Sequence, residues 1–232
     1  MVSSEDLSFP EQVNRVVIPH TAKTIFTKRL ILRPLSVLDA EALFQHRSRQ
    51  DVAEWLWPQI AHRDVQETRD SIAQKTFQTP DANGTIGLQF SFAIVIANDP
   101  NQPVIGALGI NALHPAPSIG YCTHPDTWGK GYASEAVAGL VEAWWSLPRK
   151  ESLQSERLFS GCKKSNLRSC KVLFNNGFKV FREVAIGEDT ALLFDLEKPA
   201  KERELASLDN GRGLEETQDP YTSNLSSIQY NQ

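Results

Sequence analysis

Between residues 88 and 124 the chain carries three apolar runs at strand spacing, LQFSFAIVIA (88–97), PVIGALGINAL (103–113) and SIGYCTH (118–124), parted only by NDPNQP and HPAP. Turns this short join neighbouring strands antiparallel, so the middle of the chain is committed to a meander. The third run passes straight into HPDTWGKGYASEAV (124–137), where Gly129, Gly131 and Ala133 precede a helical pattern from about Gly131 to Ser146, stopped before Pro148. RLFSGC (157–162) reads as a further strand, so the helix forms a crossover in a βαβ unit. TIFTKRLILRPL (24–35) reads as one earlier strand. Helical patterns follow: one begins at Ser36–Asp39, which resemble a capping pair, and others span about Asp51–Leu56 and Val65–Phe77. Asn166–Asn176 reads as a helix ended by Gly177, and KVFREVAI with TALLFDLE as a closing strand pair. The expected fold is α/β, a mixed and mostly antiparallel central sheet with flanking helices.

Residues 1–23 read as an irregular N-terminal arm in which VVIP (16–19) could dock, 24–197 as the folded domain, and 198–232 as a polar tail. That tail is nearly free of large apolar groups and is expected to remain disordered, because it can bury too little to offset the entropy of ordering. The 232 residues suit one core, and a formal charge of −4 supplies no basic surface for nucleic acid or an anionic membrane. No apolar run approaches the roughly 18–20 residues that cross a bilayer. MVSSEDLSFPEQ lacks the basic-then-apolar form of a secretory signal. Three cysteines without CxxC spacing and five scattered histidines suggest neither a disulfide framework nor a metal site. A reduced protein of the cytoplasm, with the nucleus not excluded, is the expectation.

The bare start of the 131–146 helix has two readings. One is a plain turn. The other is an anion site, because the first amides of a helix have no internal partner and carry partial positive charge, and small residues let a phosphate approach them. Lys130 could add charge there or point into solvent. The chain has no GxxxxGK[ST], and a GxGxxG fingerprint fails at Ser134.

Taken together, TKRLILRPL, IGYCTHPDTWGKGYASEAV and NLRSCKVLFNNGF, in this order and spacing, closely resemble the GNAT superfamily, and within it the ribosomal-protein-alanine N-acetyltransferase (RimJ/RimL) type. The resemblance runs over about residues 24–196. It implies acetyl-coenzyme A as co-substrate, without a metal, in a cleft where strands 118–124 and 157–162 splay apart. Backbone groups of Cys122 and Thr123 would pair with the pantetheine arm as an added strand. Amides of Trp128, Gly129, Lys130, Gly131, Tyr132 and Ala133 would hold the pyrophosphate. Asn166 would bond the pantetheine, and Ser169 would donate to the sulfur; the other reading of Ser169 is a serine bonding to its own helix.

Three positions depart from common family usage. Leu173 stands where many members carry tyrosine, Trp128 where arginine or glutamine begins the loop, and Ser118 where relatives often carry glutamate. The first two are usual in the subtype; the third removes an obvious general base. The implied reaction is acetyl transfer to a primary amine, of a protein N-terminus or a small molecule, by direct attack in a ternary complex. The alternative is a silent acyl-coenzyme A binder on the same fold. Trp55, Trp57, Phe90 and Ser118 are the candidates to bind the acceptor, each aromatic having core packing as its other reading. Glu135 reads as structural, Glu54 as a remote candidate base, and His46 as a solvated helix residue. Of Trp144 and Trp145, one reads as core and the other as a surface or homodimer contact.

Overall fold

The computed structural model describes residues 7–151 and 155–199. Among them lie eight strands and five helices: β1 (Ile25–Phe26), β2 (Leu30–Pro34), α1 (Ala40–Arg47), α2 (Gln50–Ala53), α3 (Val65–Ala73), β3 (Ser91–Ile96), β4 (Val104–Ala112), β5 (Ser118–Thr123), α4 (Tyr132–Ser146), β6 (Arg157–Lys163), α5 (Leu167–Asn175), β7 (Lys179–Ile186) and β8 (Asp189–Glu197). They form one sheet in the order β1-β2-β3-β4-β5-β6-β8-β7. Every neighbouring pair is antiparallel except β5–β6, the two strands that α4 connects. This is the mixed, mostly antiparallel sheet with flanking helices that the periodicity predicts.

Helices cover both faces. Leu140 and Trp144 of α4 and Leu173 of α5 pack in the larger core with Leu30, Phe92, Leu108 and Phe194. On the other face Leu43 of α1 and Ile72 of α3 close over Ala93, in a smaller core with Leu35 and Ala40. Burial on this scale contributes about 1.5–3 kcal/mol for each large apolar side chain.

Several local expectations are corrected. The segment 24–35 is a hairpin, not one strand, because Thr27 turns back on Leu30: its amide donates to the Leu30 carbonyl at 2.9 Å, and its hydroxyl accepts from the Leu30 amide at 3.1 Å. The third helix ends at Ala73, short of Phe77, whose amide instead donates to Leu88 at 2.7 Å and whose carbonyl accepts from Gly87. Trp144 and Trp145 are both buried, at 0% and 7% exposure, so neither offers the surface or homodimer contact expected of one of them. The N-terminal arm is the reason. Val16 and Ile18 join the same core, Val17 donates to Pro148, and Val16 bridges to Arg149 beyond the end of α4. Asp81 anchors this arm by accepting the Ile18 amide at 2.9 Å. The tail expected at 198–232 lies, from residue 200 onward, outside the described residues. Among those described, no helix is long and apolar enough to cross a membrane.

Candidate active site

β5 and β6 begin together and then part. Their pairing consists of Ser118 opposite Phe159, supported by the Phe159 amide on Pro117 at 2.9 Å and the Ser160 hydroxyl on Ile119 at 3.3 Å. Beyond Ile119 the seam opens into a cleft of about 880 Å³. Its walls come from β5, β6, the start of α4, one face of α5, and α1 with the segment 55–58. The arm adds Leu7 and Phe9, the Phe9 ring lying 5.3 Å from that of Phe159.

At one end stands the loop before α4. Gly131 is its N-cap residue, at φ +80°, and no side chain caps the helix. Gly129 is also left-handed, at φ +76°, with open space where a side chain would stand. The glycines therefore serve two needs, a backbone conformation that side chains disfavour and a surface left bare. The first-turn amides of α4 have no intrahelical acceptor and face a cleft lined by Trp128, Gly129, Gly131, Tyr132, Ala133 and Ser134. Lys130 is the one loop residue outside that lining. The loop is held from behind by Glu135. Its carboxylate accepts from the Thr27 hydroxyl at 2.6 Å, the Arg29 amide at 2.7 Å and Arg29 Nε at 2.6 Å. Burial works against its charge, but these donors prevail and hold its pKa below the usual carboxylate range. Arg29 also donates to the Lys130 carbonyl at 2.9 Å and lies over the Tyr132 ring. Glu135 is thus a structural clamp, and Arg29 is a loop-positioning residue that the sequence reading missed. The TKRL stretch was a signal for it.

Further along the seam, Asn166 caps α5, its side chain accepting the Ser169 amide at 3.1 Å. The Ser169 hydroxyl lies 2.7 Å from Tyr121 Oη, which also reaches the Ser169 carbonyl at 3.3 Å. Ser169 therefore turns toward the cleft and a phenol, a geometry distinct from simple back-bonding within its helix. Burial pushes the Tyr121 pKa up, so the phenol keeps its proton at any physiological pH. Tyr121 belongs to the IGY stretch, whose sequence alone gives the tyrosine no role. Alternation along β5 then sends Cys122 to the opposite face, where it neighbours Arg47 and Lys75. Burial raises the Cys122 thiol to about 11 and that of Cys162 to about 12, which leaves both protonated and weakly nucleophilic. Cys162 lies 3.6 Å from Cys170, sulfur to sulfur.

The remaining candidates divide. Trp55, Trp57 and Ser118 line the cleft, Trp57 47% exposed and touching the Gly161 position of β6. Phe90 does not. It is buried against Phe92 and Trp144 at ring distances of 5.0 and 5.8 Å, because residues 88–90 run into the core before β3 begins. Glu54 is exposed and outside the lining. His46 is buried, not solvated, at 1% exposure. Its desolvation and the nearby His124, Arg47 and His62 hold its pKa down to about 3. His62, absent from the sequence reading, bonds Arg47 at 2.9 Å and Thr68 at 2.8 Å through its two ring nitrogens. No aspartate or glutamate lines the cleft among the described residues, and no group of three candidate ligands could hold a metal among them.

Against known proteins, residues 29–179 match the acetyltransferase (GNAT) domain. An uncharacterized N-acetyltransferase, p20, from Bacillus licheniformis is 29% identical over 160 residues, covering 68% of this chain and 83% of that protein. Among solved structures, a GNAT-family acetyltransferase from Bacillus anthracis superposes with a TM-score of 0.58 at 19% identity, over 75% of this chain and 98% of its own. RimL, a ribosomal L7/L12 alpha-N-protein acetyltransferase in complex with coenzyme A, gives 0.57 at 20% identity, over 75% and 97%. The microcin C7 self-immunity acetyltransferase MccE, in complex with acetyl-CoA and AMP, gives 0.54 at 16% identity, over 73% and 92%.

Proposed function

The chain belongs to the GNAT family of acetyltransferases, and from that premise we propose that it transfers acetyl from acetyl-coenzyme A to a primary amine. The observation that carries this reading is the seam that opens after one residue pair and leads to an uncapped helix start. A linear thioester with a diphosphate end fits such a shape: an extended arm along unpaired strand edges, and charge at free amides. The coenzyme A complexes of two proteins with this fold support the choice of donor.

In this reading the amides from Trp128 to Ala133 hold the pyrophosphate, with Arg29 and Glu135 keeping their loop in place. Backbone groups on the open edge of β5 orient the arm, but not as the motif implies: the Cys122 carbonyl lies against Gly106 of β4, and the Thr123 carbonyl already accepts Trp128 Nε1 at 3.0 Å. The Asn166 side-chain oxygen is committed to the Ser169 amide, which leaves its NH2 to donate to the pantetheine. The amine nitrogen attacks the thioester carbonyl, a C–N bond forms, and the C–S bond breaks. The Ser169 hydroxyl donates a hydrogen bond to the departing sulfur, with Tyr121 Oη at 2.7 Å orienting it and keeping its own proton, and the thiolate takes up the proton that the amine gives up. Proximity supplies the rest, and no thiol of the protein is needed as a nucleophile. Among the described residues no carboxylate lines the cleft, so in this reading the proton of the amine leaves through water.

Calorimetry with coenzyme A, followed by thiol release with acetyl-coenzyme A and a panel of amines, tests the reading. Binding with turnover of at least one amine is expected. Absence of coenzyme A binding would remove the donor assignment, and binding without turnover of any amine would remove the transfer.

A further inference from the structure

Arginines on and around the α1–α3 face mostly meet a carboxylate. Arg33 pairs with Asp39 at 2.5 Å, Arg49 with Asp51 at 2.7 Å, Arg69 with Glu41 at 3.6 Å, and Arg63 with Glu67. Arg47 is different. It stands at the end of α1 within the cleft lining, and among the described residues no carboxylate lies within ion-pair distance of it. Its neighbours are His62 at 2.9 Å and the Cys122 thiol. Lys75, just beyond α3, lines the same space and likewise lacks an acidic partner among the described residues. Lys75 is exposed at the edge of this space, where its ammonium feels the repulsion of Arg47. Two cations share one wall, and among the described residues no carboxylate lines the cleft. The repulsion between the two like charges is relieved when an anion stands between them.

The location matters equally. Arg47 meets β5 at Cys122, one residue from Tyr121 and on the opposite face from Ser169. α4 and α5 occupy the donor face, so an acceptor approaches from the α1–α3 face and passes Arg47. We propose that Arg47 and Lys75 form an oxyanion-recognising subsite, and that the acceptor is an amine carrying a carboxylate or a phosphate rather than a polycation such as a polyamine. Guanidinium and ammonium side by side suit an oxyanion through charge-assisted hydrogen bonds. Cationic acceptors meet like charge and no carboxylate. This inference rests on the donor-binding reading of the same cleft.

The test has two arms. In the first, protein saturated with coenzyme A, so that the helix start is already filled, is titrated separately with inorganic phosphate and with succinate. The ring signals of His62, assigned by comparison with His62→Gln, are followed by NMR. Because Arg47 bonds this ring directly, a saturable shift is expected with one anion or both, which separates phosphate from carboxylate, and its loss is expected in the Arg47→Gln, Lys75→Gln double variant. No saturable shift, or an equal shift in the double variant, overturns the subsite whether or not any amine is turned over. In the second arm, amines are offered in matched pairs, carboxylate against carboxamide and phosphate against alcohol, with polyamines alongside. The anionic member should have the higher kcat/KM by about tenfold or more, and the double variant should bring each pair within about twofold while coenzyme A affinity is kept. A preference for neutral or cationic amines overturns the proposal and leaves the transferase reading standing. If coenzyme A fails to bind, the donor reading is lost, and the same titrations of the free protein still decide the subsite.

Discussion

Ser169 and Tyr121 form a 2.7 Å hydroxyl pair at the point where the strands separate. A donor to a leaving sulfur matters when charge builds on that atom, so its removal should act on the rate and spare affinity. Ser169→Ala is expected to lower kcat by about a hundredfold, with the KM for acetyl-coenzyme A within about threefold; an unchanged kcat would reduce Ser169 to a helix residue. The pH profile carries a second expectation. His46, neutral down to a pKa of about 3, and His62, lowered by burial and Arg47, add no ionisation to the cleft above neutrality. The phenol of Tyr121 stays protonated. The rate should therefore rise with pH as the acceptor amine loses its own proton, and its midpoint should move when a less basic amine is substituted. A midpoint fixed near pH 6 for every amine would reveal a base in the protein.

The loop before α4 is where an element does what no single side chain does. In the proposed reading its function lies in backbone left-handedness and in amides without partners, so its mutations separate strain from charge. Gly131→Ala, at φ +80°, should cost about 1–2 kcal/mol in urea unfolding and keep coenzyme A affinity within a few-fold. Gly131→Glu should add bulk and negative charge at the amides and abolish binding; equal affinity in calorimetry would refute the loop assignment. The glycines, the helix after them and the meander before them were all legible in the chain, because periodicity and turn residues are local signals. So was the relation between the HPDTWGKG loop and the NLRSC helix, through motif order. Other features were not local. Phe90 looks like a pocket wall in LQFSF and is core, since only the delayed start of β3 decides its direction. Arg29 and Glu135 are 106 residues apart in the chain, and Tyr121 finds Ser169 across 48. His62 and Arg47 meet only because α1 and the segment before α3 fold together. Pairings of this kind depend on tertiary geometry that neither propensity nor spacing contains.

For the molecule as a whole, the arm is part of the fold. Val16 and Ile18 are buried, Phe9 and Leu7 reach the cleft, and Asp81 ties the arm down through the Ile18 amide. Burial opposes the charge of Asp81, yet amides of Thr85, Ile18 and Asn83 outweigh it and lower its pKa. A carboxylate lowered on folding contributes stability that is present above its unfolded pKa, about 3.9, and is lost as pH falls through the lower folded value. Asp81→Asn should therefore lower the unfolding free energy measured in urea near pH 7 by about 1–3 kcal/mol, for the amides left without their charged acceptor. The difference from wild type should vanish in acid. An equal difference at pH 7 and below pH 3 would mean that Asp81 acts through shape alone.

The open seam between β5 and β6 has a kinetic consequence. Apart from Ser169 at the sulfur, every contact proposed along it grips portions of the carrier that are the same before and after the acetyl group departs. A site of this design tells loaded carrier from spent carrier poorly, so free coenzyme A should inhibit at concentrations close to those at which acetyl-coenzyme A saturates. The pace of the reaction would then follow the ratio of the two carriers, making the protein a reporter of acetyl supply.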